Sequence, residues 1–259
     1  MIHNLFSFHG TDHKVGTTMV SQSVAEALSA GHTNLKILFA AMNGRASTDY
    51  IREAPIGIDS LKFHMDNRMI SGEDFIKTCT HKGNLYLLAG VANEMEAHYY
   101  YPDTAKYFLE EVSPEFDLVV ADCGCDLDNG LALGAMSLSE EVFLISAQQE
   151  TALRRYERNR DLFEELGIGI SSLIVNKYDP QDPYGLPYIT DRLEMDKDYV
   201  WKVEACGQAR QAEIDGKTLL EYRNEAYYLD IAAVSNKILR KCGLAEIKRQ
   251  RKSRWRSFI

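Results

Sequence analysis

Apolar residues along this chain fall into two kinds of segment. Short runs rich in Val, Ile, Leu and Phe read as strands buried on both faces: Ile2–Phe8, Leu35–Ala41, Leu85–Gly90, Phe116–Ala121, Val142–Ser146 and Ser172–Asn176, with a further short one at Leu186–Ile189. Between them apolar residues return every three or four positions, which predicts helices over Thr17–Ala30, Thr104–Val112, Thr151–Leu166 and Glu225–Lys241. In the third of these, Leu153, Tyr156, Leu162, Phe163 and Leu166 are expected to share one broad face. Gly31, Gly167 and Gly243 follow helices at positions where a left-handed cap residue is expected.

Strands alternating with helices predict an α/β fold, a doubly wound, mostly parallel sheet of about seven strands with helices on both faces. Such sheets bind ligands beyond the carboxyl ends of their strands, so the loops there carry the functional information. No repeat or Pro/Gly-rich linker divides the chain, and Asp179–Gly185 reads as a surface turn. One domain is expected over 1–246, with a basic tail over 247–259.

Composition narrows the class. With 259 residues, 45% of them hydrophobic and 10% aromatic, the chain can bury a real core. No apolar run reaches the roughly 18 residues of a membrane span, and the opening MIHNLFSFHG has no basic stretch ahead of a long apolar one. Five scattered cysteines, Cys79, Cys123, Cys125, Cys206 and Cys242, form no disulfide framework. A soluble cytoplasmic protein is expected. The net charge is −9, yet Lys248, Arg249, Arg251, Lys252, Arg254 and Arg256 crowd the final residues, so the body is more acidic than the average. A general nucleic-acid binder is therefore not expected.

Three strand ends carry candidate chemistry. After the first strand, HGTDHKVGTTM runs directly into a helix, where a phosphate-binding loop belongs. Such loops offer backbone N–H groups to phosphate oxygens, a lysine to the β/γ-phosphates and a hydroxyl to Mg²⁺. Gly16 and Thr18 stand at the second glycine and the hydroxyl, while Thr17 takes the lysine position. The fourth strand ends in FDLVVADCG, and Asp122 is placed to hold Mg²⁺ directly or through water. The sixth ends in SLIVNKYDP, where Asn176 can offer its amide to a purine and Asp179 can accept from a guanine. Solvated turn residues are the alternative for both.

Taken together, these segments resemble the ParA/MinD family of deviant P-loop ATPases, most closely its CpaE/TadZ-like branch associated with pilus assembly and polar localisation. DHKVGTTM at Asp12–Met19 lies over a loop that in that branch often reads KGGVGTTT. The likeness continues through NLYLLAG at Asn84–Gly90, FDLVVADCG at Phe116–Gly124, Val142–Ile168, SLIVNKYDP at Ser172–Pro180, GLPYI at Gly185–Ile189 and DGKTLLEY at Asp215–Tyr222. The resemblance implies ATP and Mg²⁺ as ligands. It implies nucleotide contacts from Asp12, His13, Lys14, Val15, Gly16, Thr17, Thr18, Asn176, Lys177 and Pro187, metal contacts from Thr18 and Asp122, and catalytic roles at Asn43 and Asp122. It further implies a homodimer that serves pilus or envelope machinery.

The departures from the family pattern matter equally. Family members carry a lysine early in the loop that reaches the partner's nucleotide, and Asp12 stands there; a carboxylate facing phosphates is repulsive. His13 and Lys14 replace two glycines, although Lys14 can supply a substitute cation. The family places a water-orienting Asp after the second strand, where this chain has Asn43, with Asp49 too far along. Weak or lost hydrolysis follows, since charge stabilisation dominates phosphoryl transfer. An active switch relying on Lys14 and a nucleotide-free scaffold are the alternatives.

Other features carry less. Cys123 and Cys125 lack a second Cys or His pair in sequence, which makes a poor zinc set. His9 and His13 bracket the loop, within reach of phosphate or as ordinary turn residues. The Tyr99–Tyr101 run falls where the family builds its dimer face and binds regulators, or else packs under a loop. The tail Lys248–Ile259 joins six cations to Trp255, Phe258 and Ile259, which fits contact with an anionic membrane from the cytoplasmic side.

Overall fold

A computed structural model describes residues 1–46 and 56–248. In chain order the elements are β1 (Ile2–Gly10), α1 (Thr17–Gly31), β2 (Ile37–Ala41), β3 (Ile56–Gly57), α2 (Lys62–Asp66), α3 (Gly72–Thr78), β4 (Thr80–Lys82), β5 (Leu85–Ala89), α4 (Pro102–Val112), β6 (Leu118–Asp122), α5 (Gly130–Leu138), β7 (Ser139–Ala147), α6 (Glu150–Glu165), β8 (Ile170–Tyr178), α7 (Leu186–Arg192), β9 (Val200–Glu204), α8 (Ala209–Asp215) and α9 (Glu225–Lys241). Asp49 and nearly all of the basic tail lie outside the described residues.

One sheet takes in all nine described strands in the order β3-β5-β2-β6-β1-β7-β8-β9, with β4 added antiparallel to β5 and every other pairing parallel. The period-two alternation of strand side chains divides the core between the two faces. Leu5, Leu38, Ala40, Val119, Leu173 and Val175 point to the layer that holds α4, α5 and α6. Phe6, Phe8, Ile37, Phe39, Val120 and Ile174 point to the layer of α1 and α9. Strands buried on both faces explain the near-continuous apolar runs, and the expected doubly wound parallel architecture is the one observed. No described helix is long and apolar enough to cross a membrane.

Three details depart from the periodic pattern. Leu186–Ile189 is the first turn of α7 and not a strand: Pro187 suits a helix start, and Ile189 and Leu193 are buried at helical spacing. Leu162 of α6 and its C-cap Leu166 are exposed, so only Ala152, Leu153, Tyr156 and Phe163 form the buried face of the helix. Gly31 lies within α1, with His32 as the cap, and its missing side chain makes room for Ile247. Gly167 and Gly243 do adopt φ of 67°, as left-handed caps. The added edge strands β3, β4 and β9 are short and only partly buried, which leaves them little apolar signature.

Gly130 at the start of α5 is fixed by close packing. A Cβ there would overlap the Tyr100 carbonyl oxygen, a backbone atom that no rotamer change can move. Gly130→Ala is expected to cost about 1–3 kcal/mol, read as a lower urea midpoint. Gly169→Ala, whose added carbon meets nothing within 4 Å, should leave that midpoint nearly unchanged.

Candidate functional site

The carboxyl ends of the central strands converge on the chain between β1 and α1. Gly10 donates its N–H to Gly124 O at 2.6 Å and Thr11 to Ile145 O at 2.8 Å, so the loop leaves the sheet pinned to both neighbours. It then turns through two left-handed residues, Lys14 (φ 61°) and Gly16 (φ 94°). Gly16 is the N-cap of α1 and offers no side-chain cap, which leaves the helix N-terminus to the loop concavity. A Cβ on Gly16 would strike the Asn176 amide, so glycine is required twice over, by backbone angle and by space. Val15 and Thr17 are buried, whereas His13 and Lys14 are exposed.

Asp122 sits at the end of β6, fully buried, in register with Phe8 of β1 and Ala41 of β2. Its Oδ2 accepts from Thr18 Oγ1 at 2.6 Å and from Asn43 Nδ2 at 2.8 Å, and its Oδ1 accepts from Gly124 N at 3.1 Å. Burial raises the carboxyl pKa, and the three donors oppose that rise. Asn43 is engaged at both ends, since its Oδ1 also accepts from Arg45 N at 3.0 Å. Thr18 at the start of α1, Asp122 at the end of β6 and Asn43 after β2 are far apart in sequence, and the fold brings them into one hydrogen-bonded clasp.

The purine-side candidates separate. Asn176 is 1% exposed, and its amide donates to Val15 O at 2.8 Å, so it buttresses the loop from beneath. Lys177, at φ 54°, extends its Nζ to Lys14 O at 2.6 Å. The Asp179 carboxylate caps its own turn by accepting from Gln181 N at 2.9 Å. Pro187 opens α7 on the opposite layer from α1. Sequence reasoning missed β9 itself, whose pairing of Glu204 with Tyr178 brings the segment that follows to the same sheet end as Asn176. The short, half-exposed β9 gave no clear signal for it.

Charge around the loop is organised by Arg155 of α6. Asp12 is paired with α6: its Oδ1 accepts from Arg155 at 2.7 Å and also from His13 N at 2.8 Å. Arg155 also donates to Cys125 O at 3.2 Å and Asp126 Oδ1 at 3.1 Å, while Arg45 holds Asp126 Oδ2 at 3.0 Å. Burial alone would raise both carboxyl groups, but Arg155 holds Asp12, and Arg45, His13 and Arg155 hold Asp126, below the usual range. The repulsion expected from Asp12 is thus neutralised by an ion pair that the sequence does not announce, with its two partners 143 positions apart. Beside this network lies an open pocket of about 310 Å³, lined by His13, Asn43, Arg45, His98, Asp126 and Asp128 among others. Of the tyrosine run, Tyr100 is buried and donates to Asp59 at 2.8 Å, while Tyr99 and Tyr101 are exposed.

His9 is buried beneath the loop, edge-on to Phe163 with ring centroids 5.4 Å apart, and its Nδ1 has no hydrogen-bond partner among the described residues. It is a buried residue of β1 packed against α6. Burial lowers its pKa to about 4 from 6.5.

No family model matches the sequence, and no curated protein matches it. Solved structures do. A ParA family ATPase from Chlorobium tepidum TLS superposes with a TM-score of 0.79 at 14% identity, covering 90% of this chain and 98% of its own. The septum site-determining protein MinD complexed with Mg-ADP, from Pyrococcus horikoshii OT3, gives 0.71 at 16% identity, covering 91% and 95%. A putative plasmid partition protein from Borrelia burgdorferi B31 bound to AMPPNP gives 0.71 at 16%, covering 92% and 98%. The chain therefore has the P-loop α/β fold shared by ParA- and MinD-type ATPases.

The buried imidazole generates a pH dependence. A histidine whose folded pKa lies below its unfolded value lets acid protonate the unfolded chain first, so its contribution is present above pH 6.5 and is lost as pH falls toward about 4. Glu26, raised by burial to about 7, titrates with the opposite sign, so the comparison is made between variants. Relative to the native chain, His9→Phe is expected to gain stability progressively between pH 6.5 and about 4, measured by urea unfolding at stepped pH. A constant difference across that window would contradict the assignment.

Proposed function

We propose that this chain is a nucleotide-binding positioning or assembly factor of the ParA/MinD type, taking ATP with Mg²⁺ on the loop Thr11–Thr18. The observation that carries the reading is the Thr18–Asp122 hydrogen bond of 2.6 Å at the foot of a loop turned through left-handed Lys14 and Gly16. A hydroxyl and a carboxylate at that spacing suit Mg²⁺, with Thr18 as direct ligand and Asp122 direct or through water. The bare N-terminus of α1 suits phosphate. Structural neighbours described as complexes with Mg-ADP and AMPPNP support the same ligand class. Adenine is the expected base, because the Asp179 carboxylate is committed to its own turn.

Hydrolysis is weak or lost in this reading. Thr17 supplies no cation at the lysine position, and Asn43 cannot take a proton from water, its amide being engaged by Asp122. The homodimer, with Tyr99 and Tyr101 on the contacting or regulator-binding face, remains part of the proposal, as do pilus or envelope machinery as partner, the CpaE/TadZ-like role and an anionic membrane surface for Lys248–Ile259.

A specific observation favours a second reading. Lys177 and Arg155, the cations beside the loop that could otherwise meet phosphate charge, are already committed to Lys14 O and Asp12 Oδ1, which suits a nucleotide-free scaffold. Calorimetric titration with Mg·ATP separates the two. The native protein is expected to bind, and Gly16→Val is expected to lose at least tenfold in affinity, about 1.4 kcal/mol or more, because its side chain enters the Asn176 contact. No heat from the native protein would favour the scaffold, and equal affinity in Gly16→Val would remove the loop as the site. Thr17→Lys, which restores a phosphate-facing cation, is expected to raise the steady-state ATPase rate above the native one; a native rate already typical of active ATPases would contradict weak hydrolysis.

A further inference from the structure

We propose that His13, Cys125 and Asp126 form a binding site for a zinc-class transition-metal ion, separate from the Thr18–Asp122 clasp. One ligand atom from each of the three side chains lies within 4.8 Å of the other two. The Cys125 Sγ is 3.1 Å from His13 Nδ1 and 3.8 Å from Asp126 Oδ1, and His13 Nε2 is 3.6 Å from the same Oδ1. A tetrahedral ion bonded at about 2.3 Å to sulfur and about 2.0–2.1 Å to nitrogen or oxygen has donor–donor edges of about 3.3–3.6 Å. The observed edges bracket those values, and a small turn of the imidazole brings one nitrogen to the shared centre.

The chemistry of the donors selects the metal class. A thiolate, an imidazole and a carboxylate suit zinc or a similar ion and suit Mg²⁺ or Ca²⁺ poorly. The surroundings are already arranged as supports for ligands. Arg45 fixes Asp126 through Oδ2 and Arg155 holds its Oδ1 at 3.1 Å, the oxygen that also lies toward the sulfur and the ring, so the ion would share Oδ1 with Arg155 or displace that bond. Arg155 fixes the chain on either side by holding Cys125 O and Asp12, the neighbour of His13. The two guanidinium groups balance Asp12 and Asp126, so a thiolate and a divalent ion together add one net positive charge to a neutral setting. Coordination itself deprotonates the thiol, with the proton released to solvent. Three protein ligands leave a fourth position for water, beside the pocket that His13 and Asp126 line. Occupation would staple the loop after β1 to the loop after β6.

The test uses the full chain, stripped with a chelator and titrated with Co²⁺ in the absence of nucleotide. The expected result is one equivalent bound, with a thiolate-to-cobalt charge-transfer band that Zn²⁺ bleaches and excess Mg²⁺ does not. Cys125→Ser should abolish the band and Cys242→Ser should keep it. His13→Ala and Asp126→Asn should each weaken binding by more than the roughly 10–100-fold that loss of a ligand-orienting group costs. Absence of stoichiometric binding by the native chain, a band that survives in Cys125→Ser, or native affinity in both of the other variants would overturn the site. The deciding titration is made on the native protein without nucleotide, so failure of the nucleotide reading leaves the metal site standing.

Discussion

The arrangement depends on one buried carboxylate. Asp122 lies at the end of a central strand with no exposure to solvent, where an unpaired charge or an unpaired acid would be costly. Its three donors come from the start of α1, from the loop after β2 and from its own turn. Satisfying Asp122 therefore requires β1, β2 and β6 to end at one level and α1 to begin beside them. That requirement is met by the parallel registers Phe8↔Asp122 and Ala41↔Asp122. Sheet topology and site geometry are two aspects of one hydrogen-bond constraint.

Around that clasp, the phosphate-type loop is held by unusual means. Loops of this kind are commonly glycine-rich so that their backbone can approach an anion. Here His13 and Lys14 take two of the places, Lys14 itself left-handed, and Gly16 combines a left-handed φ with a contact on Asn176 that leaves no room for a Cβ. Tertiary contacts replace lost backbone freedom: Asn176 from below, Lys177 across Lys14 and Arg155 on Asp12. A loop braced from three sides is held in one conformation, and the two cations beside it, Lys177 and Arg155, are committed to protein acceptors.

Much of the fold is legible in the sequence, because strands buried on both faces leave dense apolar runs and long helices leave a clear three-to-four period. The six main strands and the helices α1, α4, α6 and α9 are read that way. The legible pattern fades where burial is partial, as in β3, β4 and β9, and where local and tertiary demands diverge. Leu162 and Leu166 keep the period of α6 yet face solvent, and Leu186–Ile189 is apolar enough for a strand while Pro187 begins a helix. In the site, Gly16, Thr18 and Asp122 are legible from their positions at strand ends. The Asp12–Arg155 pair and the approach of His13 to Cys125, 112 positions away, arise only from the fold. Motif spacing cannot report side chains brought together across layers.

If Thr18 and Asp122 make this loop a magnesium-dependent nucleotide site, the folded state should gain stability from Mg·ATP through that pair. Thermal unfolding of the native chain and Thr18→Val, each with ATP in the presence of Mg²⁺ or of EDTA, tests this directly, since a ligand that binds only the folded state raises its midpoint. The native midpoint should rise with Mg·ATP, fall back with EDTA, and show no magnesium-dependent rise in Thr18→Val. A native midpoint indifferent to Mg·ATP, or a magnesium-dependent rise that persists undiminished without the Thr18 hydroxyl, would contradict the account.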